Sequence, residues 1–400
     1  MPTLTAPVPD FVPYAATVLP HDLAARDGHL ELTWTDGRAS RFHWLWLRDN
    51  CACERCINPA TREQVFEIDS VPEDLRAAAV TLEPDGVVRV VWSGDGHLSR
   101  YHPGWLRAHC YSEDGQVERR PPPPEIWDSG FQVPRFAFAP VMRDDGKLLD
   151  WLVRLRSTGL TLLDGLSDDV DAVENLVARI SFVRQTNFGR MFDVESRPDP
   201  NSNAYTALEL PLHTDLPTRE VAPGLQFLHC LVNETGGGDS IMADGFRIAR
   251  TLADEAPDLF EILTRIPLPF RNTDKACDYR FHAPVIGLDA QAQLSEIRWG
   301  NFLRGPFDVS EAEMPRLYRA YRRFQAMTRE PRFQVRFRIA PGSCMVFDNR
   351  RVLHARTAFD PARGPRRLRG CYVDREELLS RIRVLERSHG RASDGAGTTI

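Results

Sequence analysis

Four consecutive prolines, Pro121 to Pro124, constrain this chain more than any other run in it. Proline lacks the amide hydrogen that a sheet ladder or a helix interior needs, so the backbone there must be extended. Composition makes residues 112–140 the natural linker, with a shorter region before it (1–111), a longer one after it (141–390) and a polar tail (391–400). At 400 residues the chain can bury one large core and a smaller one. Its 50 Lys and Arg against 56 Asp and Glu give a formal net charge of -6, which argues against a broad nucleic-acid-binding surface. No run approaches the roughly 20 apolar residues that span a bilayer. The N-terminus has no basic start followed by an apolar stretch, so a cytoplasmic location is expected.

Ahead of the prolines, HLELTWTDG, RASRFHWLWLRDN and GVVRVVWSGDGHLSRY alternate apolar and polar residues between turn signals, the pattern of half-buried strands. A small β-rich N-terminal domain follows. Beyond the prolines, DDGKLLDWLVRLRSTG and SDDVDAVENLVARISF open with acidic residues before an apolar repeat of helical spacing, as helix N-termini do. From Tyr205 onward short strands (GLQFLHCLV, SIMADG, FQVRFRIAPGSCMVFDN) are interrupted by the helical stretches RIARTLADEAPDLFEILTRI and EMPRLYRAYRRFQAMTRE. The pattern is mixed but mainly β, and it predicts a double-stranded β-helix, or jelly roll, with flanking helices.

LPLHTDLP places His213 and Asp215 two positions apart, so on a strand edge both side chains share one face. VFDNRRVLHARTAF supplies His354, downstream of the turn at 340–342. Two histidines and one carboxylate on one face of an octahedral Fe(II) leave three positions open, which is what 2-oxoglutarate and O2 require. An isolated His-x-Asp is common, and such a site also needs a cation for the distal carboxylate of 2-oxoglutarate. Arg366 lies twelve residues beyond His354 in GPRRLRGCYVD. By themselves Arg366, Arg367 and Arg369 read equally as a solvated basic edge.

Eight cysteines are too few for a disulfide scaffold, but Cys51, Cys53 and Cys56 are bunched in CACERC, which favours a metal. Tetrahedral zinc needs a fourth ligand, and VVWSGDGHLSRYHPGWL offers both His97 and His102. A redox pair or an iron–sulfur ligand set is the alternative.

The runs AYTALELPLHTDLP, PGLQFLHCLVNETGGGDS, DGF, PG with FDNRRVLHAR, and LRGCYVDREELLSRIRVL occur in this order, within a likeness that extends from about residue 20 to about residue 387. Together they resemble the γ-butyrobetaine and trimethyllysine hydroxylase family, a branch of the taurine dioxygenase-like oxygenases. The resemblance implies that His213, Asp215 and His354 ligate iron, that Arg366 clamps 2-oxoglutarate, and that the Ser240 hydroxyl lies near the same cosubstrate. It selects His97 over His102 and so closes a structural Cys3His zinc site. It places Phe188, Phe192, Tyr205 and Tyr372 in an aromatic cage, whose ring faces attract a quaternary ammonium that cannot donate a hydrogen bond. Relatives commonly carry Tyr and Trp where this chain has Phe188 and Phe192. In the family the substrate carboxylate is bound largely by amide side chains. Ser202 stands where Asn is expected, flanked by Asn201 and Asn203, and Asn301 in IRWGNFLRGPF is the second candidate, in a loop that also carries Arg298 and Arg304.

The implied activity is C–H hydroxylation of a small trimethylammonium compound, with γ-butyrobetaine to carnitine leading. 2-Oxoglutarate is converted to succinate and CO2, ascorbate serves as the assay reductant, and the resemblance implies a homodimer. Trimethyllysine or a trimethylammonium phosphonate is the rival substrate, the latter favoured if Arg298 or Arg304 points into the pocket. The rival from another class is a zinc or iron–sulfur binding protein whose C-terminal part no longer catalyses. A nucleic-acid-binding zinc protein fails on charge and on the lack of a recognition helix.

Overall fold

The computed structural model describes residues 6–10, 12–196, 198, 203–274 and 276–389. Its contacts group into two compact units, one of residues 1–122 with those from 386 onward, the other of residues 123–385. The stretch 112–140, read from composition as linker, contains regular structure at both ends. Helix Glu113–Glu118 is capped by the Ser112 hydroxyl, which accepts from the Gly115 amide at 3.2 Å, and Arg135–Ala137 forms a strand. Residues 121–128, which include the prolines, carry no regular element.

The first unit holds two three-stranded antiparallel sheets, Pro20–Ala25, His29–Trp34 and Ala39–His43, and Ala77–Leu82, Val88–Trp92 and Leu98–Tyr101. Alternation works as expected there: Leu30, Leu32, Trp34, Val88, Val90 and Trp92 all enter one core. RASRFHWLWLRDN, however, is not one strand. It turns at His43 into helix Trp44–Asp49, which buries Trp44, Leu47 and Arg48 at helical spacing. The Tyr101 hydroxyl donates to the Leu47 carbonyl and fixes that helix, which delivers the chain to Cys51.

The second unit is built on two sheets. The major one runs, across its width, Arg135–Ala137, Leu160–Asp164, Ser343–Asp348, Leu225–Asn233, Arg366–Val373, Phe192–Val194, with only the first pair parallel. The minor one runs Leu210–His213, Val352–Arg356, Ser240–Asp244, Gln334–Phe337, all antiparallel. Strand alternation sorts the side chains into layers. Leu162, Leu228, Met345, Phe347, Leu368 and Tyr372 of the major sheet share a core with Met242 and Val352 of the minor sheet, so the two sheets enclose it. The opposite face of the major sheet (Leu163, Phe227, Val346, Cys371) packs on helices Asp145–Thr158, Ala172–Ala178 and Arg375–Ser388. That of the minor sheet (Ala243, Leu353) packs on Gly245–Glu255, Pro257–Arg265 and Met314–Thr328. This is the mainly β jelly roll with flanking helices.

Local signals place the helices. Asp144 caps Asp145–Thr158 by accepting from the Lys147 amide at 2.9 Å, and Gly159, at φ 71°, ends it in the left-handed conformation that glycine takes without strain. The stretch RIARTLADEAPDLFEILTRI is two helices, because Pro257 cannot continue the first and instead opens the second. Arg351 and Asp244 form a fully buried pair joining 3.1 and 2.8 Å contacts, and Asp244 also accepts from the Trp127 and Phe246 amides. Asp244→Ala leaves a buried cation uncompensated. It is expected to lower unfolding stability by about 3–5 kcal/mol, seen as a shift of the denaturant midpoint at unchanged slope.

Candidate active site and metal centres

His213 closes strand Leu210–His213, and His354 sits in the middle of the neighbouring strand as its register partner. Their ring centroids are 4.1 Å apart. Asp215 lies just past the strand end, in a turn rather than on the strand edge. Its amide donates to Asn349 Oδ1 at 2.6 Å, and the fully buried Asn349 returns a bond to the Asp215 carbonyl at 3.0 Å. Leu216 follows at φ 53°, an uncommon conformation for a branched residue, so the turn is held by its surroundings. The carboxylate thereby reaches both rings: Asp215 Oδ1 is 3.2 Å from His213 Nε2 and 3.6 Å from His354 Nε2. The three donor atoms lie within 4.8 Å of one another, a grouping that can hold one metal ion.

The surroundings prepare these groups for a cation. His213 Nδ1 is bonded to the Pro211 carbonyl at 2.9 Å, which makes it the protonated nitrogen and turns the lone pair of Nε2 toward Asp215. The Tyr372 hydroxyl donates to Asp215 Oδ2 at 2.7 Å. Burial by itself pushes the Asp215 carboxyl up, but His354 and His213 outweigh it and hold the group well below the usual carboxylate range. Burial pushes His354 down, toward the neutral form that a metal ligand requires.

These residues open into a cavity between the two sheets. Arg366 and Ser240 line it, as do Phe188, Phe192, Tyr205 and Tyr372. Arg366 and Tyr372 lie on the inward face of one strand, and at about 3.3 Å per residue they are about 20 Å apart along it. Arg366 is 7% exposed, burial pushes its pKa down to about 10, and its guanidinium makes no hydrogen bond or ion pair among the described residues. A buried cation without a counter-charge is costly, and a carboxylate entering the cavity supplies one. Arg367 and Arg369, in contrast, are paired with Asp193 at 2.6 and 3.2 Å. At the other end Phe192 stands 5.0 Å from Tyr372 and 6.3 Å from Phe188. Gly370 makes that wall possible: a Cβ there would stand 2.7 Å from the Phe192 ring.

The amide candidates fare differently. Asn301 is not in this cavity, because its Oδ1 is taken by the Tyr321 hydroxyl at 2.9 Å and Arg304 at 3.3 Å, on the outer side of the minor sheet. Asn203 is exposed and does not line the cavity, and Ser202 lies outside the described residues. Arg298 is spent on the carbonyls of Pro217, Arg219 and Glu220 and on Glu296, and Arg304 packs over Phe307 and Tyr321. Neither lines the cavity. Two polar lining residues went unread in the sequence, Gln226 and Arg356. Arg356 donates to the Thr206 and Leu208 carbonyls, both at 2.7 Å, and so ties down the segment that carries Tyr205. Its position two residues past His354, on the same face, was the available signal.

In the first unit, His97 Nε2 lies 3.3, 3.6 and 3.6 Å from the sulfurs of Cys51, Cys53 and Cys56. Bonds of about 2.3 Å to sulfur and 2.0–2.1 Å to nitrogen around a tetrahedral zinc put S and N about 3.6 Å apart, so the set has the size of such a site. Hydrogen bonding with Cys51, and then with Arg48 at 3.2 Å, holds the Cys56 thiol down to about 5 against its burial. His102 is occupied elsewhere, accepting from the Trp105 amide as the cap of helix Pro103–Ala108.

The family model described as taurine catabolism dioxygenase TauD, TfdA family matches residues 118–372, and the model for the N-terminal part of γ-butyrobetaine hydroxylase-like proteins matches residues 22–107. The chain belongs to the TauD/TfdA dioxygenase family. A γ-butyrobetaine dioxygenase of Pseudomonas sp. (strain AK-1) is 54% identical over 360 residues, 90% of this chain and 94% of that one. A trimethyllysine dioxygenase of Meyerozyma guilliermondii is 31% identical, over 89% of this chain and 93% of its own. A γ-butyrobetaine dioxygenase of Homo sapiens is 30% identical, over 90% and 96%. This TauD/TfdA member is therefore an oxidoreductase that uses Fe(II), 2-oxoglutarate and O2, and its N-terminal Cys3His cluster is compatible with zinc. No helix among its described residues is long and apolar enough to cross a membrane.

Proposed function

We propose that the chain hydroxylates γ-butyrobetaine to carnitine, with His213, Asp215 and His354 holding Fe(II), Arg366 and Ser240 receiving 2-oxoglutarate, and Phe188, Phe192, Tyr205 and Tyr372 receiving the trimethylammonium group. The observation that carries this reading is one cavity in which a buried Arg366, unpaired among the described residues, and a wall of aromatic rings flank the two-histidine, one-carboxylate cluster. Iron with 2-oxoglutarate and O2 supplies the oxidising chemistry. The side chains fix which carbon is presented to it, exclude water, and keep Asp215 ionised. Relatives named for γ-butyrobetaine and for trimethyllysine both match most of this chain, and trimethyllysine is the second reading. The placement of Arg298 and Arg304 away from the cavity removes support for a phosphonate. Zinc in the Cys3His cluster, a homodimer and a cytoplasmic location belong to the same proposal, and sedimentation of the full chain tests the dimer.

The test is to mix Fe(II)-loaded protein with 2-oxoglutarate, ascorbate and γ-butyrobetaine, trimethyllysine or other quaternary ammonium compounds in air, measuring succinate and hydroxylated product by mass spectrometry. Carnitine formed in step with succinate is the expected result. Succinate coupled only to hydroxytrimethyllysine would move the assignment to the second reading, and no coupled product with any compound would sink the substrate class. Arg366→Ala is expected to raise the 2-oxoglutarate KM by about 100-fold, since a charge-assisted bidentate contact is lost, while iron content stays unchanged.

A further inference from the structure

Gln226 is 3% exposed, lines the cavity, and makes no side-chain hydrogen bond among the described residues; its Oε1 is sealed from solvent without a partner. A buried amide oxygen without a partner is unusual, because desolvating it costs about 1–3 kcal/mol. Its position says what it faces. Gln226 is the register partner of Tyr372 on one side and of Phe347 on the other, so its side chain projects from the same inward row as the Tyr372 ring. Phe192 lies against Tyr372 from the far side, opposite Gly370. Gln226 thus stands within the aromatic wall, at the end of the cavity remote from Arg366.

The rings lining that end include two phenylalanines, Phe188 and Phe192, the weakest aromatic partners for a cation, and they carry no lone pair. A trimethylammonium group spreads its charge onto its methyl hydrogens, and an amide oxygen is a neutral acceptor for such polarised C–H groups. A half-turn of the amide exchanges oxygen and nitrogen at no cost in packing, so the oxygen is available to the cavity. A carboxylate in its place would bind any cation, whereas an amide among rings suits a large, diffuse one. Resting on the substrate reading above, we propose that Gln226 is a specificity-determining residue, its amide oxygen completing the quaternary-ammonium pocket alongside Tyr372 and Phe192.

The test uses binding, so that it is independent of turnover. Choline and its neutral carbon isostere 3,3-dimethylbutan-1-ol are titrated calorimetrically into full-length wild type, Gln226→Leu and Gln226→Glu, with melting curves verifying that each variant folds. Wild type is expected to prefer choline by tenfold or more. Gln226→Leu should weaken choline about tenfold and leave the isostere unchanged, and Gln226→Glu should tighten choline. If Gln226→Leu keeps the wild-type preference, or loses both probes equally, the proposal is overturned while the cation pocket stands. If wild type itself does not distinguish the probes, the substrate reading falls and this proposal with it. Should the leucine melt early, the glutamate variant decides: no gain for choline overturns the assignment.

Discussion

Full-length protein carrying His213→Ala is expected to form succinate at least about 10³-fold more slowly than the unaltered chain, a barrier increase of about 4 kcal/mol. The argument is geometric. His213 and Asp215 are separated by one residue and His354 is the register partner of the first, so no other donor of the cluster can move in when one is removed. Alanine also releases the Pro211 carbonyl, which has no further task at the metal. Because the ring lies at a strand end and not inside a helix-packed layer, the fold is expected to survive. Melting within a few degrees of wild type, together with iron content well below one per chain, is the predicted combination. Wild-type succinate release from the alanine variant would remove His213 from the proposed ligand set. Asp215→Ala should behave alike, whereas Tyr372→Phe, which takes only a hydrogen bond from Asp215, should retain iron and lose far less.

The second large effect is expected at the Cys3His cluster proposed to hold zinc. Cys56→Ser replaces a thiolate that Arg48 supports by a hydroxyl that does not ionise near neutral pH, and three remaining ligands cannot close a tetrahedral site. Structural zinc contributes about 10–16 kcal/mol to small metal-dependent folds, more than a unit of this size can spare. The variant should therefore contain no zinc, and residues 46–65 should become the first point of protease cleavage at temperatures where wild type resists. Full retention of zinc and of protease resistance would show that the four residues do not form a structural metal site.

The sequence-level reading reached furthest where one chemical requirement is met by residues close together. CACERC pointed to a cluster able to hold a metal because three thiolates fell within six positions, and the helix Asp145–Thr158 was legible from its acidic start and apolar repeat. The jelly roll was legible from many short alternating strands. What remained hidden depends on contacts across more than a hundred residues. The pinning of the Asp215 turn by Asn349 is such a case: an asparagine in FDNRR carries no mark of the turn it holds. Gln226 reads as one polar letter in GLQFLHCLV, and only the register with Tyr372 turns it inward to the cavity. The helix Trp44–Asp49 was read as strand because RASRFH alternates up to it, while WLWL is apolar throughout and shows neither period, and burial of Trp44, Leu47 and Arg48 decides it. Asn301 was drawn toward the substrate by its sequence neighbourhood, while Tyr321, twenty residues on, claims it in the fold.

One bond at the site also sets a count. With Oδ2 of Asp215 committed to the Tyr372 hydroxyl, only Oδ1 faces the two imidazoles. A metal held by this cluster would then meet the carboxylate through one oxygen, and three protein atoms in all. The number of exchangeable places such an ion would keep for small molecules would thus depend on a phenol carried by a strand of the opposite sheet.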